Sequence, residues 1–178
     1  AEANGLILTL GEWVLRNACR VAAQWDPPYS IAVNLSALQL ADPSLPRLVH
    51  QILLETGLAP SRLELELTES ALIRDKVVSL HAIRQIKALG VSVALDDFGT
   101  GYSSLDTLRN FPFDKIKLDR SFVLDICTDR QSLAIVRAVV ALGRSLDIMV
   151  LAEGIETQEQ LSLLRQEKCD AIQGFLMG

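Results

Sequence analysis

The sequence predicts an α/β fold in which strand–helix units repeat along the chain, and three observations support this prediction. Short runs rich in β-branched and leucine residues alternate with segments in which apolar residues recur every three or four positions. Successive strand-like runs are about one strand-plus-helix unit apart. Loop residues, mainly Gly, Pro and Asp, separate the two kinds of segment. Repeated units of this kind imply a parallel sheet with right-handed crossovers, either doubly wound or closed into a barrel.

Six strands are predicted from these runs. They are Ile31–Leu35, Leu63–Leu67, Val91–Leu95, Asp114–Leu118, Ile148–Leu151 and Ala171–Leu176. A (β/α)₈ barrel typically needs about 250 residues, whereas this chain has 178 and opens on a helical pattern. We therefore expect one domain over residues 1–178, a modified (β/α)₈ barrel with six of its eight strands in this chain. We expect it to be truncated at the N-terminus and at the C-terminus. A smaller open sheet is the alternative.

The first helical segment shows how the core is assigned. Leu15, Ala18, Ala22 and Trp25 follow the helical spacing of three and four residues, which gives the segment one apolar face. We expect this face to pack in the core, and we expect Trp13 to be buried as well.

Composition and charge limit the possible functions. Seventeen basic and twenty-two acidic residues give a net charge of −5, which argues against non-specific binding to a DNA or RNA polymer. The three cysteines are far apart in the sequence, which fits a reducing compartment and makes a zinc site improbable. No apolar run approaches the roughly 18 residues of a membrane span. We expect a cytoplasmic domain, which leaves open a membrane tether elsewhere in a longer parent protein.

Polar residues stand at the carboxyl end of every predicted strand. They are Asn34, Glu66, Asp96, Lys117, Glu153 and Gln173. In α/β folds this edge of the sheet is where active sites are built. A single acid at a strand end is most often a solvated turn residue or a helix cap, but six polar strand ends in succession favour a shared site.

This set of residues has a chemical logic. Carboxylate and amide oxygens are the ligands that Mg²⁺ and Mn²⁺ prefer, and two such ions about 3.5–4 Å apart are typical of phosphodiester hydrolysis. A lysine on a strand would stabilise developing negative charge, and a further Glu could deprotonate the attacking water. His50 and His81 both lie in helical patterns, so no Ser/His/Asp or Cys/His set is visible. Asp97-Phe98-Gly99 matches a kinase triplet, but the other kinase motifs are missing.

The motifs around these residues resemble those of the EAL domains, which are bacterial cyclic di-GMP phosphodiesterases. The matching segments are Asn34-Leu35-Ser36, Glu66-Leu67-Thr68-Glu69-Ser70, Asp96-Asp97-Phe98-Gly99-Thr100-Gly101-Tyr102-Ser103-Ser104-Leu105, Lys117-Leu118-Asp119-Arg120-Ser121-Phe122, Ala152-Glu153-Gly154-Ile155-Glu156-Thr157 and Gln173-Gly174-Phe175. They occur in the order of the family and span nearly the whole chain.

The resemblance implies a modified (β/α)₈ barrel that hydrolyses cyclic di-GMP to linear pGpG with two Mg²⁺ or Mn²⁺ ions. It implies that Asn34, Glu66 and Asp96 are metal ligands. It also implies that Asp96 bridges the two ions and that Asp97 binds the second one. Bacterial second-messenger signalling is the process that this activity would serve.

The resemblance also assigns roles beyond the metal ligands. Lys117 would position the attacking water or stabilise the transition state, and Glu153 would act as general base or hold a metal-linked water. The residues that would complete the metal, water and ligand shell are Asp119, Glu156 and Gln173. Glu69 would hold the Asp97–Leu105 loop, which in the family lies near a dimer interface, so a homodimer is expected.

One departure from the family affects the expected activity. The Glu-Ala-Leu motif that names the family, and whose glutamate is a metal ligand, is absent from these 178 residues. We therefore expect this fragment alone to be inactive, and a parent protein that supplies the motif to be active and to carry sensor or cyclase domains. The alternative from another class is a non-catalytic cyclic di-GMP receptor or interaction module.

Overall fold

The structure, a computed structural model, describes residues 6–73, 75–99 and 105–177. The strands are β1 (Ile31–Leu35), β2 (Leu63–Thr68), β3 (Ser92–Phe98), β4 (Lys115–Leu118), β5 (Met149–Ala152) and β6 (Ala171–Ile172). They form one six-stranded sheet in the order β1-β2-β3-β4-β5-β6. A doubly wound sheet would reverse its strand order at a switch point, so this sequential order confirms the predicted barrel-type α/β class.

Helices connect the strands. They are α1 (Leu6–Ala22), α2 (Ala37–Leu40), α3 (Leu45–Thr56), α4 (Glu69–Ile73), α5 (Lys76–Ala88), α6 (Leu105–Asn110), α7 (Arg120–Leu124), α8 (Arg130–Leu146) and α9 (Gln158–Gln166). Short 3₁₀ turns cover Pro60–Arg62 and Phe175–Met177. Within the described ranges, no helix combines the length and the apolar character that a bilayer crossing requires.

The chain divides into two compact units, and the first comprises Ala1–Ala94 and Ser104–Pro112. Strands β1 and β2 pair in parallel here, with Asn34 opposite Glu66 in the register. The leucines of β2 are almost fully buried, as expected for a parallel strand covered by helices. Helix α1 packs against α3 and β1.

The second unit comprises Leu95–Ser103 and Phe113–Gly178. Strands β4, β5 and β6 are parallel neighbours. Ile116, Leu118 and Val150 are inaccessible to solvent and form the core on which α8 packs. Gly143 of α8 lies where a Cβ atom would come 2.8 Å from the carbonyl oxygen of Ile148, so this glycine lets the helix approach β5 closely.

The prediction that both tryptophans are buried is wrong. Trp13 is 63% exposed, and Trp25 lies beyond the end of α1 and is 38% exposed. The buried face of α1 is formed by Leu15, Cys19 and Ala22. Trp13 lies two residues before Leu15, which is about half a helical turn. Its side chain therefore falls on the side of the helix opposite to the buried face.

The last predicted strand is too long. The strand β6 ends at Ile172 rather than at Leu176. Beyond Ile172 the chain still bonds to Ile155, whose N–H donates to the Gln173 carbonyl over 3.1 Å and whose carbonyl accepts the Leu176 N–H over 3.1 Å. The extended ladder ends because the chain closes a 3₁₀ turn over Phe175–Met177, in which the Met177 N–H donates to the Gly174 carbonyl over 3.0 Å.

Candidate active site

The second unit brings charged side chains from three successive strands together. The ammonium nitrogen of Lys117, in β4, lies 3.0 Å from Oδ1 of Asp96 in β3. The same nitrogen lies 2.9 Å from Oε1 of Glu153, directly after β5. The Lys117 side chain is only 7% exposed, against 12% for Asp96 and 20% for Glu153. A lysine this deeply buried needs such carboxylate partners, because an unpaired charge is costly to remove from water.

Strand geometry explains why these residues meet. In β4, Ile116 and Leu118 are fully buried in the apolar core, so the intervening Lys117 points to the other face of the sheet. The N–H of Glu153 donates to the carbonyl of Leu118 over 3.1 Å. This bond continues the β4–β5 ladder one residue past β5 and places Glu153 beside Lys117.

Asp97 adds a second carboxylate at the end of β3. Its backbone lies in the left-handed region, with φ of 54°, and its N–H donates to Oδ1 of Asp96 over 3.0 Å. Burial, followed by the negative charges of Asp96 and Asp119, raises the pKa of Asp97, while Lys117 opposes this shift. The backbone turn thus places an exposed carboxylate, that of Asp97, directly beside the buried Asp96.

These acids fit a divalent cation. Oxygen atoms of Asp96, Asp97 and Glu153 all lie within 4.8 Å of one another. Carboxylate oxygens are the hard ligands that Mg²⁺ and Mn²⁺ prefer. A cation would offset the repulsion from Asp96 and Asp119, which adds to burial in raising the pKa of Asp97. The arrangement can therefore hold a metal ion next to a buried lysine.

The remaining predicted residues of this unit have partners within the chain. Asp119 caps α7: its Oδ1 accepts the Ser121 N–H over 3.0 Å and the Ser121 hydroxyl over 2.5 Å. Glu156 accepts a hydrogen bond from Arg120 over 2.6 Å. The backbone N–H of Gln173 donates to the Ala152 carbonyl over 2.9 Å, which fixes Gln173 next to the end of β5. Their assignment to a metal, water and ligand shell stays a prediction.

In the first unit, Asn34 and Glu66 are direct register partners in β1 and β2. Asn34 is exposed, whereas Glu66 is 7% exposed. A pocket of about 550 Å³ opens beside Asn34, between the residues that follow β1 and those that follow β2. Glu69, the first residue of α4, is buried. Most of the loop that Glu69 is predicted to hold, residues 100–104, lies outside the described residues.

Sequence reasoning missed the contribution of Arg120 and of the glycine after Glu153. Gly154 has φ of +75°, and a Cβ atom there would collide with the stem of Arg120. A glycine directly after a functional glutamate was the available signal, because it indicates close approach of another group. The residue that approaches could not be named from the sequence.

Two relatives are similar over the whole chain. A signalling protein of Caulobacter vibrioides is 60% identical over 178 residues, which is 100% of this chain and 22% of that protein. The bifunctional diguanylate cyclase/cyclic di-GMP phosphodiesterase MucR of Pseudomonas aeruginosa is 47% identical over 182 residues, covering 100% of this chain and 27% of MucR. The chain thus spans about a quarter of the length of these curated relatives.

Solved structures agree with these relatives. A structure of PaMucR phosphodiesterase in complex with c-di-GMP superposes with a TM-score of 0.94 at 47% identity and covers 100% of this chain and 74% of that one. A Klebsiella pneumoniae BlrP1 structure, a manganese/cyclic-di-GMP complex, gives a TM-score of 0.88 at 32% identity, with 95% of this chain and 44% of that one covered. The family model described as EAL domain matches residues 1–178. The chain belongs to the EAL domain family.

Proposed function

We propose that this chain forms part of a metal-dependent phosphodiesterase that hydrolyses cyclic di-GMP to linear pGpG. The observation that carries the proposal is the buried Lys117 held between Asp96 and Glu153, with Asp97 beside them. The PaMucR and BlrP1 structures with cyclic di-GMP support the choice of substrate.

The proposed cofactors are two Mg²⁺ or Mn²⁺ ions. In the second unit, Asp96 and Asp97 would supply oxygen ligands, and in the first unit Asn34 and Glu66 carry oxygen atoms of the same kind. Bound metal would polarise the phosphodiester and lower the pKa of the attacking water. The acid cluster of the second unit supports a cation there, and the manganese complex of BlrP1 supports the kind of ion.

The chain's own residues would supply the rest of the chemistry. Lys117 stabilises negative charge that develops on the phosphoryl oxygens, because its ammonium group is fixed in a poorly solvated position. The Glu153 carboxylate, held by Lys117, accepts the proton of the attacking water. Asp119, Glu156 and Gln173 line the surroundings of these groups.

The wider setting is also proposed. Because the chain spans about a quarter of its relatives, we infer that it acts within a longer polypeptide whose other segments supply the Glu-Ala-Leu motif and sensor or cyclase domains. A homodimer is the expected assembly.

The test uses the full-length protein and its Asp96→Asn/Asp97→Asn double variant. Chromatography should show conversion of cyclic di-GMP to pGpG by the wild type with Mg²⁺ or Mn²⁺, and none with a chelator. Cations at about 100 times their dissociation constant should add about 2.7 kcal/mol of stability, seen as a higher Tm that the double variant lacks. Binding of cyclic di-GMP without turnover would instead favour a non-catalytic receptor, and an equal Tm rise in the variant would contradict the metal assignment.

A further inference from the structure

Arg120 links two loops at the edge of the sheet. It is the first residue of α7, and its Nη2 donates to Oε1 of Glu156, in the loop after β5, over 2.6 Å. Its aliphatic stem lies over Gly154 in the same loop: a Cβ atom at Gly154 would fall 2.8 Å from Cβ and 2.9 Å from Cδ of Arg120, and closer still to its Cγ. The arginine therefore contacts the loop on both sides of Ile155, at Gly154 through its stem and at Glu156 through its guanidinium group.

The loop that Arg120 contacts begins with Glu153, directly after β5. The Lys117–Glu153 and Arg120–Glu156 pairs join the same two chain segments: Arg120 is three positions after Lys117, and Glu156 is three positions after Glu153. The first pair is buried, whereas the Arg120 and Glu156 side chains are 50% and 36% exposed. Exposed ion pairs contribute little to stability, so stability alone does not account for this close fit between arginine and glycine.

We propose that Arg120 is a positioning residue for Glu153. By holding Gly154 and Glu156, it keeps the loop in the one conformation that sets the Glu153 carboxylate beside the Lys117 ammonium group. Its own guanidinium is engaged by Glu156, so it acts through Glu153 and does not contact substrate. The inference rests on the proposed phosphodiesterase function.

The first experiment compares Arg120→Met with a matched control in the full-length protein. Arg137→Met removes another arginine of the same unit, one that forms two hydrogen bonds with Glu167, of 2.8 and 2.7 Å. Misplacing a reacting group by about 1 Å can cost about a hundredfold in rate. We expect Arg120→Met to lower kcat for cyclic di-GMP by about tenfold to a hundredfold with little change in KM, and Arg137→Met to leave both unchanged.

Two further variants distinguish positioning from other roles. Arg120→Lys retains a stem over Gly154 and a charge near Glu156, so it should recover part of the lost kcat. In a Glu153→Gln background, Arg120→Met should cause no further loss in single-turnover rate, because the group that it positions is already gone. If Arg120→Met itself does not fold, as judged by circular dichroism, Arg120→Lys is compared in both backgrounds.

The outcomes separate this inference from the function on which it rests. A wild-type protein without turnover would overturn the proposed function. An active wild type would overturn the inference alone if Arg120→Met kept the wild-type kcat, raised KM without changing kcat, or caused the same loss in the Glu153→Gln background. The first of these results would leave Arg120 a surface residue, and the second would make it a substrate contact.

Discussion

The two ends of strands β4 and β5 use charge in different ways. At the carboxyl end, the charged groups face one another: Lys117 lies between Asp96 and Glu153. At the amino end, a pocket of about 430 Å³ is also lined with charged residues, and two of these, Asp170 and Arg144, bond to the backbone. Asp170 Oδ2 accepts the Val150 N–H over 2.9 Å, and Arg144 donates to the Lys168 carbonyl over 2.7 Å.

This difference distinguishes charged groups that stabilise the fold from charged groups that are suited to catalysis. A carboxylate that accepts a backbone N–H satisfies a group that the fold would otherwise leave unpaired. A cation buried between two acids costs desolvation energy that packing with apolar residues would avoid. The carboxyl end of the strands is also where barrel enzymes carry catalytic residues, whereas the amino end contributes to stability. The role of a charged residue at a strand end therefore depends on whether it bonds to the backbone or to another charged side chain.

Lys117→Met gives the largest expected effect and removes the charge–charge contacts at the carboxyl end. Loss of one fixed electrostatic donor typically costs a hundred- to a thousandfold in rate, so cyclic di-GMP turnover by the full-length protein should fall by about that factor. Asp96 and Glu153 lose the cation they share, so the free energy of unfolding without metal should fall by up to about 3 kcal/mol. Turnover near the wild-type level would contradict the chemical role of this end.

Asp170→Ala tests the opposite end. The N–H of the fully buried Val150 loses its acceptor, which should cost about 1–3 kcal/mol in urea unfolding. Turnover per folded molecule should stay at the wild-type value, because the change lies at the structural end of β5. Asp170→Asn keeps an acceptor oxygen and is the control, with a smaller loss of stability. A drop in kcat with Asp170→Ala would remove the distinction between the two ends.

Asp129→Asn gives the smallest effect and concerns an exposed carboxylate that caps α8. Hydrogen bonds from the N–H groups of Gln131 and Ser132, and from the Ser132 hydroxyl, lower the pKa of Asp129. The ionised Asp129 therefore stabilises the fold at pH values above the ordinary aspartate pKa of about 3.9. This contribution to the free energy of unfolding is lost as the pH falls through the lower pKa that Asp129 has in the folded state. Asn also caps helices but does not titrate, so the variant's Tm should fall less on acidification. Equal pH dependence of Tm in both proteins would contradict this.

The sequence was sufficient for the strands with clear boundaries. Strand β1 was predicted to the residue, and β2 and β4 to within one residue at either end, because turn residues flank short apolar runs there. The predicted strand β6 was too long, because the apolar run continues through the 3₁₀ turn at Phe175–Met177 and periodicity does not reveal that turn. Trp13 was misplaced for a similar reason: an apolar residue does not indicate which face of α1 meets the sheet.

The site was predictable as a set of strand ends but not as a geometry. Asp96, Lys117 and Glu153 could be grouped because parallel strands bring their carboxyl ends to one edge. Their separation depends on the register of β4 with β5 and on the left-handed turn at Asp97, neither of which leaves a period in the sequence. The contact between Arg120 and Gly154 joins residues far apart in the chain, so the sequence alone could not predict it.

Helix α7 carries a further consequence for how this sequence can evolve. Besides Arg120 over Gly154, it places the ring of Phe122 against Gly99, where a Cβ atom would come 2.7 Å from the ring. One short helix thus constrains glycines after two different strands. Both glycines also have positive φ, +75° at Gly154 and +99° at Gly99, so replacing either large side chain would remove only the steric part of the constraint. In a saturation mutagenesis survey, these glycines should tolerate as few substitutions as the carboxylates they adjoin.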